Sequence, residues 1–386
     1  MDMTQLGFGR DVFRPDHDAY RESMRRFFQR NIEPNVRQWE IDGFFPAELF
    51  REAGRAGLLC AAIPAEYGGA GGDVLHHLIL HEEHGYSVGG AALEAGLTTD
   101  LTATIINDSG TEQQKRQWLP FFASGEGIAE VGLTEPDAGS DARGIKSFAR
   151  RDGDDYVING QKMWMSNGPI LTVLFTITKI RLADGRDSTA MFIVPMDSKG
   201  VTVSKPTELM MKSCGGASEV FFDDVRVPAR YLIGEVEGQG IKQALKSITL
   251  GRVAAAVRAV AACELALALT VDYAKGRKAF DQTVFDFQNT QFKLATVATE
   301  IAAARAFVDA SLARMEQGTF SAVDSAKLKL FCTELEGRVM DECLQFHGAA
   351  GYSNEYPISK MYAFARIHRI YIGTSEILRT IIGRSL

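Results

Sequence analysis

Three stretches of this sequence hold residue types able to do chemistry. In Leu133-Thr134-Glu135-Pro136-Asp137-Ala138-Gly139-Ser140-Asp141, a strand candidate runs into a loop of small and polar residues. Such a loop offers backbone N–H groups and hydroxyls to an oxygen-rich ligand, as nests do for phosphate. Taken alone, a polar turn after a strand is the simpler reading. In the stretch Asn159 to Gly168, Trp164 and Ser166 stand two apart. That spacing projects an indole and a hydroxyl from one strand face, although a lone Trp in a strand is more often core. His77, His81 and His84 fall on one helix face at a spacing that could bind a metal. Their order is not the zinc-protease HExxH, so a solvated helix face with no metal is expected.

The elements that must position these residues divide the chain by texture. Residues 1–125 read as helical: Leu49, Phe50, Ala53, Leu58 and Leu59 recur at helical spacing, and Thr111 to Gln114 forms a capping-box signal. Residues 126–232 read as a β domain. Leu171 to Ile180 and Thr189 to Val194 are strand candidates, and Asp152-Gly153, Asn159-Gly160 and Asp184-Gly185 favour hairpins. Residues 233–386 read as a helical bundle. Gln243 to Lys275 and Gln288 to Met315 are its long antiparallel helices. Val253, Val257, Val260 and Ala261 mark one apolar stripe; Phe292, Leu294, Ala295, Ala298, Ile301 and Ala302 mark another. The fold class is therefore α+β multidomain, with a central β-barrel or sandwich between helical domains.

The net charge of -7 over 386 residues argues against a nucleic-acid surface. The N-terminus lacks the apolar core of a secretory signal. Arg258, Glu264 and Asp272 interrupt the apolar segment Ala254 to Ala274, which reads as a buried helix rather than a membrane span. Five widely spaced cysteines with no CxxC pair read as reduced, buried thiols, and a cytoplasmic location is expected.

The first two stretches, in this order, resemble the flavin-contacting strands of the FAD-dependent acyl-CoA dehydrogenases. Three further stretches extend the match. They are Arg277-Lys278-Ala279-Phe280 with Phe287-Gln288, Gln345 to Tyr352 with Glu355-Tyr356-Pro357, and Ile370 to Ile377. The last resembles the family's Tyr-Glu-Gly-Thr loop. The match is collinear over nearly the whole chain and is to members of the long-chain or short-branched type.

The resemblance implies FAD as cofactor. Leu133 and Thr134 would contact the flavin pyrimidine, and Gly139 and Ser140 the diphosphate. Trp164 and Ser166 would flank the isoalloxazine. Arg277, Phe280, Phe287 and Gln288 would serve a neighbouring subunit's FAD, which implies a homotetramer. Gln345 and Gly348 would approach the adenosine end, and Thr374 and Glu376 would complete the site. Ser140, Arg252, Ile372 and Gly373 would lie against the acyl thioester. Asp281 and Ala349 stand where the family usually has Gly, and Asp281 weakens the expected Arg277 contact.

The family reaction is α,β-desaturation of an acyl-CoA, with a glutamate taking the α-proton. Here the loop position is Ile372, and the alternative position, directly before Arg252, is Gly251. Neither can accept a proton. Asp100 and His368 are the weak substitutes, read respectively as a solvated or capping carboxylate and a surface histidine. Three readings follow: a desaturase whose usual base is replaced, the same scaffold running monooxygenase or desulfinase-type chemistry, and a silent FAD- and acyl-CoA-binding subunit. The acyl carrier could be CoA or a carrier protein, and an electron-transfer flavoprotein is the family's default acceptor.

Overall fold

The computed structural model describes residues 10–90, 97, 99–211 and 214–386. The N-terminal helices are α1 (Pro15–Phe27), α2 (Val36–Asp42), α3 (Glu48–Arg55), α4 (Val74–Tyr86), α5 (Thr99–Ser109) and α6 (Glu112–Ala123). Then come β1 (Ala129–Gly132), β2 (Phe148–Asp152), β3 (Asp155–Ser166), β4 (Val173–Arg181), β5 (Asp187–Pro195), β6 (Val201–Val203) and β7 (Ala217–Pro228). After α7 (Gly240–Gly276), β8 (Lys278–Ala279) and β9 (Gln282–Thr283) form a small hairpin. The chain ends in α8 (Gln288–Glu316), α9 (Ala322–His347), α10 (Pro357–His368) and α11 (Ser375–Gly383).

These elements form two units. The first takes the chain up to Pro34, the segment from Val74 through α4, and Gly251–Leu386; apart from the β8–β9 hairpin it is helical. Its α1 begins on Pro15, carries Asp16 and Asp18 in the first turn and ends on Arg25 and Arg26, charges that suit the helix dipole. Helix α7 is long and apolar enough to cross a membrane by length and composition, yet 83% of its most apolar window is buried. Its stripe of Val253, Val257, Val260 and Ala261 is fully enclosed. On α8 the stripe differs from expectation. Leu294, Val297, Ile301, Ala304, Val308 and Leu312 face inward, whereas Ala295 is exposed and Phe292 is 62% exposed. Steps of three and four residues from Leu294 define one face, and Phe292 stands off it.

The second unit holds Asn35–Asp73 and the stretch from α5 through Leu250. Its sheet has the order β1-β4-β2-β3-β7-β6, with β5 paired to β4. The hairpins β2–β3 and β4–β5 turn where expected, with Gly153 and Gly185 at φ +64° and +82°. Asn159-Gly160 makes no hairpin. It lies inside β3, where the register against β7 shifts between Ile158 and Gly160. A Cβ on Gly160 would fall 2.3 Å from Ser147 Oγ, so this glycine serves close strand approach at a bulge. Trp118, Phe122, Phe175, Met191 and Ile193 build the core between helices and sheet. The capping box at α6 forms: Gln114 N donates to Thr111 Oγ1, and Thr111 N to Gln114 Oε1. All five cysteines are buried.

Candidate active site

In the first unit, the loop between α10 and α11 is where backbone strain and buried charge meet. Ile372 has φ +55° and Gly373 φ +98°. Glycine accepts this region freely; a β-branched residue there costs on the order of 1–3 kcal/mol and must be held by its surroundings. Two donors hold it. Arg252 Nε donates to the Ile372 carbonyl at 3.3 Å, and Lys329 Nζ donates to the Gly373 carbonyl at 2.8 Å. Thr374 caps α11 by accepting from Ile377 N.

Both cations are enclosed: Lys329 is 0% and Arg252 7% exposed. Burial, and then the Arg252 charge, push the Lys329 ammonium down to about 7, against the pull of Glu334 and Glu336. Burial lowers Arg252 as well. Glu336 is committed elsewhere, 2.6 Å from His368 Nδ1, both residues being 1% exposed. Glu334 accepts from Ser375 Oγ at 2.6 Å and faces Arg369 and Arg379.

In the second unit, the loop after β1 is tied to β3. Met163 N donates to the Thr134 carbonyl at 2.9 Å. Glu135, next to Thr134, accepts from the backbone of Lys146 and Ser147 and from Lys162 Nζ at 2.6 Å. Burial pushes the enclosed Lys162 down to about 8, with Glu135 opposing. This pair fixes the backbone that carries Leu133 and Thr134. Trp164 has φ +64° and is 50% exposed, while Met165 beside it is buried. Ser166 is half-buried, and Ser140 is exposed. A Cβ on Gly139 would meet nothing within 4 Å.

At the far end of α7, Arg277 is exposed and forms no ion pair among the described residues. Phe280 is 89% exposed at φ +51°, its ring edge-on to Phe287 at 6.2 Å. Gln288 and Gln345 are exposed, and Gly348 has φ +57° with open space where a Cβ would stand. Glu376 is exposed in the first turn of α11.

Residues 14–126, 131–225 and 238–386 match the N-terminal, middle and C-terminal domains of acyl-CoA dehydrogenases. The chain is 36% identical over its whole length to the rat mitochondrial long-chain specific acyl-CoA dehydrogenase, covering 89% of it. It is 37% identical to a probable acyl-CoA dehydrogenase, YngJ, of Bacillus subtilis, covering 96% of this chain and 98% of that one. The crystal structure of an acyl-CoA dehydrogenase from Geobacillus kaustophilus superposes with a TM-score of 0.92 at 34% identity, over 98% of this chain and 99% of that one. The chain belongs to the acyl-CoA dehydrogenase family. It is a family flavoenzyme with FAD as cofactor and acyl-CoA as substrate class. Its own residues fit a dinucleotide: an indole left half-exposed, glycines with open approaches, and an arginine with no carboxylate partner.

Three residues or groups differ in the structure from their sequence expectation. His368 is no surface histidine. It continues the buried stripe Ile358, Met361, Ala365 of α10 at three- and four-residue steps and pairs with Glu336. Asp100 is not solvated: it is 2% exposed and accepts Cys60 N at 2.8 Å. The His77, His81 and His84 face is enclosed, because α4 is buried from Leu75 to Gly85. Burial pushes His81 and His84 well below the usual histidine range. Lys329, Glu336 and the Glu135–Lys162 pair were not foreseen. Lys329 had a signal: it falls on the α9 stripe with Ser325, Cys332, Glu336 and Val339.

Proposed function

We propose that this protein carries out FAD-dependent redox chemistry on the CH–CH group of an acyl-CoA thioester, with no carboxylate base of its own at the usual places. The observation that carries this reading is Ile372 in the left-handed position of the loop, its carbonyl held by Arg252 and its side chain unable to take a proton. In this reading Leu133, Thr134, Gly139, Ser140, Trp164 and Ser166 line one part of the flavin site. Arg277, Phe280, Phe287 and Gln288 serve the FAD of a neighbouring subunit, and Gln345, Gly348, Thr374 and Glu376 complete the site. FAD, when bound, would accept the β-hydride, and the α-proton would pass to an acceptor other than the side chains at positions 372 and 251. Ile372 N–H polarises the thioester carbonyl, and Ser140, Arg252 and Gly373 border the acyl group. A homotetramer, an electron-transfer flavoprotein as acceptor and a cytoplasmic location complete the proposal.

The absence of an acid at both Ile372 and Gly251 favours one second reading, in which the scaffold runs chemistry that needs no protein base, of the monooxygenase or elimination type. Anaerobic titration of the FAD-loaded protein with saturated acyl-CoAs separates the two. Perturbation of the flavin band followed by slow bleaching supports CH–CH oxidation. Perturbation that never leads to bleaching supports the second reading. A flavin spectrum untouched by any acyl-CoA would contradict both.

A further inference from the structure

Arg252 and Lys329 stand side by side on consecutive carbonyls of one loop, both enclosed, and neither has a carboxylate within ion-pair distance among the described residues. Among the described residues Lys329 uses one of its three donors, and its ammonium lies 5.5 Å from the Tyr371 ring centre. Among the described residues Arg252 donates from Nε alone. Its Nη2 lies 3.4 Å from the point where a Cβ on Gly373 would stand, so the guanidinium edge packs against that glycine, with Leu378 and Ile377 as the other neighbours of that point. The acids nearest Lys329 are taken, Glu336 by His368 and Glu334 by Ser375, Arg369 and Arg379. An enclosed ammonium beside an enclosed guanidinium, with no counter-charge, is costly. The group that would best relieve it is a planar anion able to accept from both.

We propose that Arg252 and Lys329 form a carboxylate-binding subsite beside the Ile372–Gly373 loop, and that the acyl group this protein prefers carries a second acid. The substrate class is then the CoA monothioester of a short dicarboxylic acid. This rests on the acyl-CoA reading above. The carboxylate accepts from the guanidinium edge and the ammonium, and supplies the negative charge that neither Ile372 nor Gly251 provides.

The test is a binding titration of the FAD-loaded protein, read from the flavin spectrum. The probes are chain-matched pairs, butanoyl- with butanedioyl-CoA and pentanoyl- with pentanedioyl-CoA, together with free pentanedioate. The diacid esters should bind on the order of 10- to 100-fold more tightly than their neutral partners, the range of a charge-assisted hydrogen bond. Arg252→Gln and Lys329→Met should erase that preference, and Lys329→Arg should retain it. Ile372→Glu, which leaves both cations in place and gives the loop its own carboxylate, should also erase it. Equal binding within each pair, with the flavin still perturbed, would overturn the subsite and leave the acyl-CoA reading standing. Free pentanedioate binding as tightly as its CoA ester would overturn the assignment of the acid to the acyl chain. No perturbation by any ester would overturn both.

Discussion

Two buried charge clusters in the helical unit are built on opposite terms. Between α1, α4, α7 and α8, Arg10 pairs with Glu82 and Asp309, Arg21 with Glu82 and Glu83, and Arg25 with Glu83. Arg305 pairs with Glu82 and Glu264, and Tyr86 donates to Glu264. Every charge there has an opposite neighbour. Burial works against the Glu82 carboxylate, yet Arg10, Arg305 and Arg21 hold it well below the usual carboxylate range. At the Ile372–Gly373 loop, Arg252 and Lys329 have only backbone carbonyls among the described residues. The first cluster is complete within the protein and reads as a structural clamp joining helices. The second lacks its anion and reads as a place where a ligand finishes the electrostatics. Buried charge alone therefore does not mark a site; the missing counter-charge does.

Ile372→Glu should speed flavin bleaching by a saturated neutral acyl-CoA by roughly 10²–10⁴-fold, the usual worth of a general base. Glu82→Gln, which takes one of two acidic partners from each of Arg10, Arg21 and Arg305, should cost about 3–5 kcal/mol in denaturant unfolding. Lys329→Met should behave in the opposite sense at low pH. The folded Lys329 pKa lies near 7, below the ordinary lysine range, so above it the unfolded chain binds the extra proton and stability rises with pH. Below about pH 7 the wild type retains the whole penalty. The melting temperature of Lys329→Met relative to wild type should therefore be higher at about pH 6 than at about pH 9. The reverse trend would mean that the lysine is already compensated. Smallest of all, Arg26→Ala breaks only the exposed pair with Glu22 and should cost about 0.5 kcal/mol or less.

Much of this architecture is legible in residue patterns. Gly153 and Gly185 announce their hairpins, Thr111 its helix, and α7 its burial, because each depends on local backbone preference or on apolar periodicity. Asn159-Gly160 misleads, since the same positive φ that makes a turn also permits a bulge against Ser147. His368, Asp100 and the α4 histidines mislead for a different reason. A polar side chain is read as solvated unless its partner is known, and the partners here, Glu336, Cys60 N and Arg258, lie far away in sequence. The empty base positions at Ile372 and Gly251 are plain in the sequence. The cations left facing that loop are not, because Lys329 reaches Gly373 across 44 residues and Arg252 reaches Ile372 across 120.

In the proposed site the Ile372–Gly373 loop offers cations and a backbone donor but no base. Anaerobic mixing of wild type and Ile372→Glu with the same saturated neutral acyl-CoA, followed at the flavin's main visible band, tests it directly. Prompt spectral perturbation is expected in both proteins, and fast bleaching only in Ile372→Glu. Wild-type bleaching as fast as that of the glutamate variant would contradict it, because a proton acceptor would then already stand at the α-carbon.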